Sequence, residues 1–193
     1  HKTIEELAYH ASIPVINGLT DLYHPCQALA DFLTIQEAKG TIAGQKLVYV
    51  GDGNNVAHSL MIIAAKLGVD FTLACPKGYE PNAQVYKLAQ EFANDSGSKV
   101  IISNDAKDAV KGADVIYTDV WVSMGEPDEV WEKRIKELSP YKVTKEIMAN
   151  AGKEAIFLHC LPAFHDLKTK IGKEMGERFG ITDMEVTDEV FES

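Results

Sequence analysis

The sequence predicts an α/β fold: a doubly wound, mostly parallel sheet of about five strands with helices on both faces, Rossmann-like in its winding. Three observations predict it. From residue 46 onward, short apolar runs alternate with longer stretches of helical periodicity. Glycines stand where helices should stop, as at Gly40 and Gly68. Unusual polar loops follow the first, fourth and fifth apolar runs, whereas ordinary turns follow the second and third.

Taken in order, Thr3-x-x-Glu6 has the pattern of a capping box ahead of Leu7, Ala8 and Ala11, so a helix opens the chain. A short extended piece spans Pro14 to Asn17, and a polar turn runs through Asp21 and His24-Pro25. A helix over 26–38 presents Ala28, Leu29, Phe32, Leu33 and Ile35 as its apolar face. Strands are expected at 47–50, 70–75, 99–103, 114–118 and 155–158. Helices are expected at 56–67, from Pro81 to about residue 94, and at 106–111, 128–137 and 144–151, with Pro81 as a first-turn proline. Right-handed crossovers and the common order 3-2-1-4-5 then bring the loops after strands one, four and five together. Ligands bind at that switch point in open α/β sheets.

Composition narrows the function. A chain of 193 residues with 46% hydrophobic content buries a real core. A net charge of −10 argues against nucleic acid or anionic membranes, which need a basic face. Cys26, Cys75 and Cys160 are odd in number and widely spaced, which fits a reducing compartment, and cytoplasm is expected. No apolar run approaches membrane-spanning length. The chain begins at a helix edge and stops at Phe191-Glu192-Ser193 without an obvious closing element, so a longer parent is expected.

The three loops carry the chemistry. Gly51-Asp52-Gly53-Asn54-Asn55-Val56 ends a strand and opens a helix, which suggests a dinucleotide site; Val56 in the third glycine's place and Cys75-Pro76 ending the second strand argue against it. A tight turn with an Asn cap is the simpler alternative, and Asn55 could hold a small polar ligand by its amide. Asp119-Val120-Trp121-Val122-Ser123-Met124-Gly125-Glu126 has a lid's composition, with Asp119 and Ser123 supplying a charge and a hydroxyl for an amine-bearing substrate. Ordinary packing against a neighbouring helix is the better account of Trp121 and Met124 taken alone, but it leaves Asp119 unexplained. In His159-Cys160-Leu161-Pro162-Ala163-Phe164-His165-Asp166 a thiol, two imidazoles and a carboxylate close a strand. Neighbours on a strand point to opposite sides, so His159 is a poor base for Cys160. No zinc spacing matches, and Cys160 as a core residue stays open. Tyr23-His24-Pro25-Cys26-Gln27 precedes a helix, where His24 and Gln27 could face a ligand or simply make a turn.

In this order, H-P-C-Q at 24–27, G-D-G-N-N at 51–55, D-V-W-V-S-M-G at 119–125, H-C-L-P at 159–162 and M-E-V-T-D-E-V-F at 184–191 resemble the second half of ornithine carbamoyltransferases, over essentially the whole chain. The resemblance implies transfer of a carbamoyl group from carbamoyl phosphate to the δ-amine of L-ornithine, giving citrulline and phosphate, with no metal or organic cofactor. It assigns His24 and Gln27 to the carbamoyl group, and Cys160 and Leu161 to the loop that meets both substrates. Asn55, Asp119, Ser123 and Met124 are assigned to ornithine, the last two on a closing lid. Cys160, Asp119 and His24 are the implied catalytic residues. Residues 1–38 would be an interdomain helical segment and 39–193 the ornithine-binding domain, the carbamoyl-phosphate domain and a final C-terminal helix being absent. The parent is expected to be a homotrimer or a multiple of trimers. The family's S-x-R-T-R phosphate clamp is missing, and the two arginines, Arg134 and Arg178, lie outside the motif loops. The chain by itself is therefore expected to lack transferase activity. Alternatives are a carbamoyltransferase acting on putrescine or an acylated ornithine, a nucleotide-binding module using residues 51–55, and a non-catalytic interaction domain.

Overall fold

The computed structural model describes residues 1–122 and 126–193. After α1 (Lys2–His10) and α2 (Pro25–Lys39) the elements alternate: β1 (Lys46–Val50), α3 (Asn55–Leu67), β2 (Asp70–Ala74), α4 (Ala83–Ser96), β3 (Val100–Ser103), α5 (Ala106–Ala109) and β4 (Val115–Asp119). There follow α6 (Asp128–Leu138), α7 (Lys145–Ala149), β5 (Ile156–Cys160), α8 (Lys170–Phe179) and α9 (Asp188–Phe191). The strands form one parallel sheet in the order β3-β2-β1-β4-β5, as the alternation predicts.

Alternation along each strand builds a core on both faces. Leu47 and Tyr49 of β1, Phe71 and Leu73 of β2, and Val115 and Tyr117 of β4 face the side covered by α2, α3, α4 and α6. Val48, Val50, Ala74 and Ile116 face the other, with Ala106 and Ala109 of α5, Ile147 of α7 and Val190 of α9. Being covered twice, β1 carries no polar residue between Leu47 and Val50, and all four are fully buried. Among the described residues no helix is long and apolar enough to cross a membrane.

Several local expectations need correction. The Thr3-x-x-Glu6 pattern is not used as a cap, because α1 starts one residue before Thr3 with His1 at its N-cap. Pro81 precedes α4 instead of opening it; Asn82 is the cap, its side chain accepting from the N–H groups of Gln84 and Val85. Ala28, Phe32 and Ile35 of α2 are buried, but Leu29 and Leu33 are 61% and 58% exposed, so the helix's apolar stripe is wider than the face the sheet covers. The space between Ile35 and Ala28 on the inner face belongs instead to an acid, Asp31. Strand β5 runs on through His159 and Cys160, two residues beyond its apolar run. Helices α8 and α9 had no counterpart in the sequence reading. The first nevertheless carries a helical period, with Ile171, Met175 and Phe179 at i, i+4 and i+8 turned to the core and Thr169 as its cap.

Candidate functional site

The C-terminal ends of β1, β4 and β5 lie side by side, and the backbone of Asp119 is paired directly with that of Cys160. The loop leaving β1 needs its glycines. Gly51 has φ +143°, and a Cβ on Gly53 would lie 2.6 Å from the Pro81 nitrogen and 2.7 Å from the Tyr79 oxygen. The Gly53 N–H donates to that Tyr79 oxygen at 2.9 Å. Asn54 caps α3, its Oδ1 accepting from the N–H groups of Val56 and Ala57. The loop therefore spends on itself the donors that a dinucleotide's pyrophosphate would require.

Capping fixes Asn54's amide so that Nδ2 points across the switch point, where it donates to Asp119 Oδ2 at 2.8 Å. The Val120 N–H donates to Asp119 Oδ1, also at 2.8 Å. Asp119 is only 8% exposed; burial pushes its carboxyl up to about 6, against the lowering effects of Asn54, Val120 and the charge of His159. Burial likewise pushes the Cys160 thiol up to about 12, helped by the charges of Asp119 and Asp31, so it is a neutral thiol at neutral pH. A second chain of contacts runs behind this pair. Gln27 Nε2 and Tyr117 Oη donate to Asp31 at 2.9 and 2.8 Å, Tyr117 stacks on Tyr49 at 5.7 Å, and Tyr49 Oη donates to Asn54 Oδ1 at 3.2 Å. Burial raises Asp31's carboxyl, opposed by those two hydrogen bonds.

The remaining candidates are placed as follows. The N–H of His24 donates to Ser59 Oγ, and its Nδ1 meets the Gly18 carbonyl at 3.0 Å. A carbonyl only accepts, so Nδ1 carries a proton and Nε2 is the atom left for a ligand. Asn55 does not offer a free amide: Nδ2 donates to the Thr20 carbonyl at 2.7 Å and Oδ1 accepts from the Val56 N–H at 3.0 Å, tying the loop to the segment before α2. Leu161 is 67% exposed beside Cys160. Ser123 and Met124 lie outside the described residues.

His159 points away from Cys160, as strand alternation requires. Its Nε2 lies 3.2 Å from Glu185 Oε1 and its Nδ1 2.9 Å from the Cys160 carbonyl, on the far side of β5 from Asp119. Glu185 is fully buried and also accepts the Phe164 N–H at 2.6 Å, so it holds the turn after β5 in place. His165 stacks on Phe191 at 3.8 Å and meets Asp188 at 2.7 Å. With Glu192 these form the group of metal-ligating side chains found among the described residues, lying on the surface apart from the switch point; the His165–Asp188 hydrogen bond already explains their closeness.

Sequence reasoning missed four residues here. Asp31 and Tyr117 look like ordinary interior positions of a helix and a strand. Glu185 lies in a recognised motif but had been given no role. Arg134 stands outside the motif loops in sequence yet reaches two of them, its Nη1 donating to Asp52 Oδ2 at 2.5 Å and to the Trp121 carbonyl at 2.9 Å.

Comparison with known proteins bears on this arrangement. Residues 43–193 match the family described as "Aspartate/ornithine carbamoyltransferase, Asp/Orn binding domain", and residues 1–37 match "Aspartate/ornithine carbamoyltransferase, carbamoyl-P binding domain". The catabolic ornithine carbamoyltransferase of Treponema denticola is 54% identical over 98% of this chain and 56% of the relative. Catabolic ornithine carbamoyltransferase 1 of Staphylococcus epidermidis is 54% identical over 100% of this chain and 59% of the relative. Among solved structures, the ornithine carbamoyltransferase of Pyrococcus furiosus superposes with a TM-score of 0.87 at 50% identity, over 100% of this chain and 56% of that one. That of Gloeobacter violaceus gives 0.84 at 42% identity, over 100% and 58%. The chain thus spans little more than half the length of these relatives.

Proposed function

The chain belongs to the aspartate/ornithine carbamoyltransferase family, and from that premise we propose that it is the ornithine-binding half of an enzyme that carbamoylates the δ-amine of L-ornithine. The observation that carries this reading is the Asn54–Asp119–Cys160 cluster: a buried carboxylate held by an amide, beside a neutral thiol, at the switch point of the sheet. A cationic amino acid would answer Asp119's unmet charge, and nothing in the cluster resembles a nucleotide's donor set.

In the proposed reaction the neutral δ-amine attacks the carbamoyl carbon of carbamoyl phosphate, and a tetrahedral intermediate forms. The bond between the carbamoyl carbon and the bridging phosphate oxygen breaks, phosphate leaves with the electron pair, and the amine's proton passes to the departing phosphate. His24 polarises the carbonyl through Nε2; because Nδ1 is already committed to the Gly18 carbonyl, this requires the doubly protonated ring. Gln27 takes the carbamoyl NH₂ on its Oε1, since its Nε2 is committed to Asp31. Asp119, held by Asn54, and Cys160 position ornithine, with Ser123 and Met124 completing its pocket and Leu161 meeting both substrates; Asn55, its amide committed to Thr20 and Val56, serves the pocket only by holding its loop in place. Cys160 acts as a neutral hydrogen-bonding group, not as a thiolate.

Under the same reading residues 1–38 are an interdomain segment and 39–193 the ornithine domain, the phosphate clamp being supplied by a domain outside this chain. A cytoplasmic parent fits three cysteines that are all free, and a trimer, or a multiple of trimers, is the assembly that the resemblance implies. The test is citrulline formation from ornithine and carbamoyl phosphate. A full-length protein carrying this chain should form it and the chain alone should not. Turnover of putrescine or an acylated ornithine in preference to ornithine would overturn the substrate assignment.

A further inference from the structure

Asp31 is a buried acid with no role so far, and its surroundings give it one. It lies one helical turn after Gln27 on α2 and is 6% exposed. Its two oxygens are divided between two elements: Oδ1 accepts from Gln27 Nε2 at 2.9 Å, and Oδ2 accepts from Tyr117 Oη at 2.8 Å. Tyr117 sits on β4 two residues before Asp119, and its ring stacks on Tyr49, which holds Asn54. Taking a carboxylate out of water is costly, and a helix meant only to pack here would carry an apolar residue.

A carboxylate only accepts hydrogen bonds, so Gln27 must turn its NH₂ toward Asp31 and its oxygen away. A carbamoyl NH₂ needs an acceptor, and Gln27 Oε1 is the one left over. Without Asp31 the amide could turn over and present N–H to N–H. We propose that Asp31 is a positioning residue that fixes which face of the Gln27 amide meets the carbamoyl group. This rests on the carbamoyl-transfer reading above.

The test is a double-mutant cycle in the full-length enzyme, with kcat and KM measured for each substrate. Asp31→Asn replaces one acceptor by a donor and lets Gln27 adopt either orientation. Its kcat/KM for carbamoyl phosphate should fall roughly ten- to a hundredfold, with the ornithine KM changed by no more than about twofold. In a Gln27→Ala background the same substitution should have no further effect, because the group it orients is gone. Tyr117→Phe, which withdraws only one donor from Asp31, should cost about threefold and should also lose its effect in the Gln27→Ala background. It serves alone if Asp31→Asn fails to fold.

Effects that multiply fully with Gln27→Ala would overturn the proposal. So would both KM values rising together with a fall in the thermal midpoint, which is what a merely structural acid would give. A wild-type enzyme that forms no citrulline would instead remove the functional reading itself.

Discussion

Two cysteines end two strands of the same sheet, and comparing them separates a site from a core. Cys75 follows β2 and is fully buried; Cys160 ends β5 and is 6% exposed. Burial pushes both thiols up to about 12. Their neighbours differ. Around Cys75 the backbone is paired off: its N–H donates to Ser103, its carbonyl accepts from Asn104 Nδ2, and the Asn104 carbonyl accepts from Tyr141 Oη. Cys160 stands opposite Asp119, a carboxylate held in its charged form only with difficulty. Burial of a thiol is thus no mark of function. The mark is the buried carboxylate beside it, Asp119, which among the described residues is met by a neutral amide and a backbone N–H at the switch point.

The most severe way to test that contrast is Asp119→Asn. Citrulline formation by the full-length enzyme should drop roughly 10²- to 10³-fold, the scale expected for a group that holds the attacking amino acid in place by its α-amine. Stability should move the other way. The carboxyl's folded value of about 6 lies above its unfolded 3.8, so its contribution to stability is fully present below pH 3.8 and lost as pH rises through about 6. At neutral pH the buried charge costs on the order of 3 kcal/mol, and a lost hydrogen bond offsets about 1 kcal/mol of the gain from removing it. The variant should therefore melt higher than wild type at pH 7, with the gap closing toward pH 4. A lower melting temperature at pH 7 would mean that the site is not strained.

Next in size is the cysteine pair itself. Cys160→Ser should reduce kcat/KM roughly tenfold or more while leaving the melting temperature nearly unchanged. Cys75→Ser should do the reverse, since a hydroxyl in a thiol's buried place is short of a partner and costs about 1–3 kcal/mol. Equal losses of activity from both would abolish the distinction. A pH series sharpens it further. Binding of norvaline, an amine-bearing analogue of ornithine, should weaken as pH falls through about 6 and Asp119 takes up a proton, approaching a tenfold rise in Kd per pH unit below that. Calorimetry at fixed ionic strength measures it, and a flat profile from pH 5 to 7 would place the ligand away from Asp119.

How much of this was legible without coordinates follows the same division. The strand order was readable because β1, β2 and β4 are buried on both faces, which leaves apolar runs broken only by Thr72 and Thr118, and because Gly40 and Gly68 end their helices in left-handed conformations. Asp119 and Cys160 were readable as polar residues where an apolar run stops. What could not be read was pairing across distance. Asp31 meets Tyr117 from 86 positions away, and Glu185 meets His159 from 26 away. Neither acid has a local pattern to mark it: an acid on a helix, as Asp31 is, is normally solvated, and Glu185 lies in the segment between α8 and α9, outside any helix or strand. Asn54 and Asn55 show the limit within a single motif. Adjacent and identical, one turns its amide toward Asp119 and the other toward Thr20, and only the cap geometry decides which.

The smallest expected effect concerns how the two ends of the sheet are kept apart. Asp52 lies in the loop after β1, and its charge acts on Cys75 and on Tyr49 alike. Arg134 on α6 takes up that charge, stands over the Tyr79 ring at 5.4 Å, and binds the Trp121 carbonyl at the foot of the loop after β4. It ties the edge of the site to the turn after β2 without touching Asp119. Arg134→Met keeps most of the side chain's packing but leaves Asp52 and the Trp121 carbonyl without a donor. The Arg134 and Asp52 side chains are partly solvated, so the cost should be about 1–2 kcal/mol in stability, with the ornithine KM rising only severalfold and kcat nearly unchanged. Because the pair is an ion pair near the surface, raising salt from 0.05 to roughly 0.5 M should shrink the difference between variant and wild type. A loss of kcat as large as that of Asp119→Asn would instead mean that Arg134 belongs to the reacting centre, and that the boundary drawn between the two strand ends lies in the wrong place.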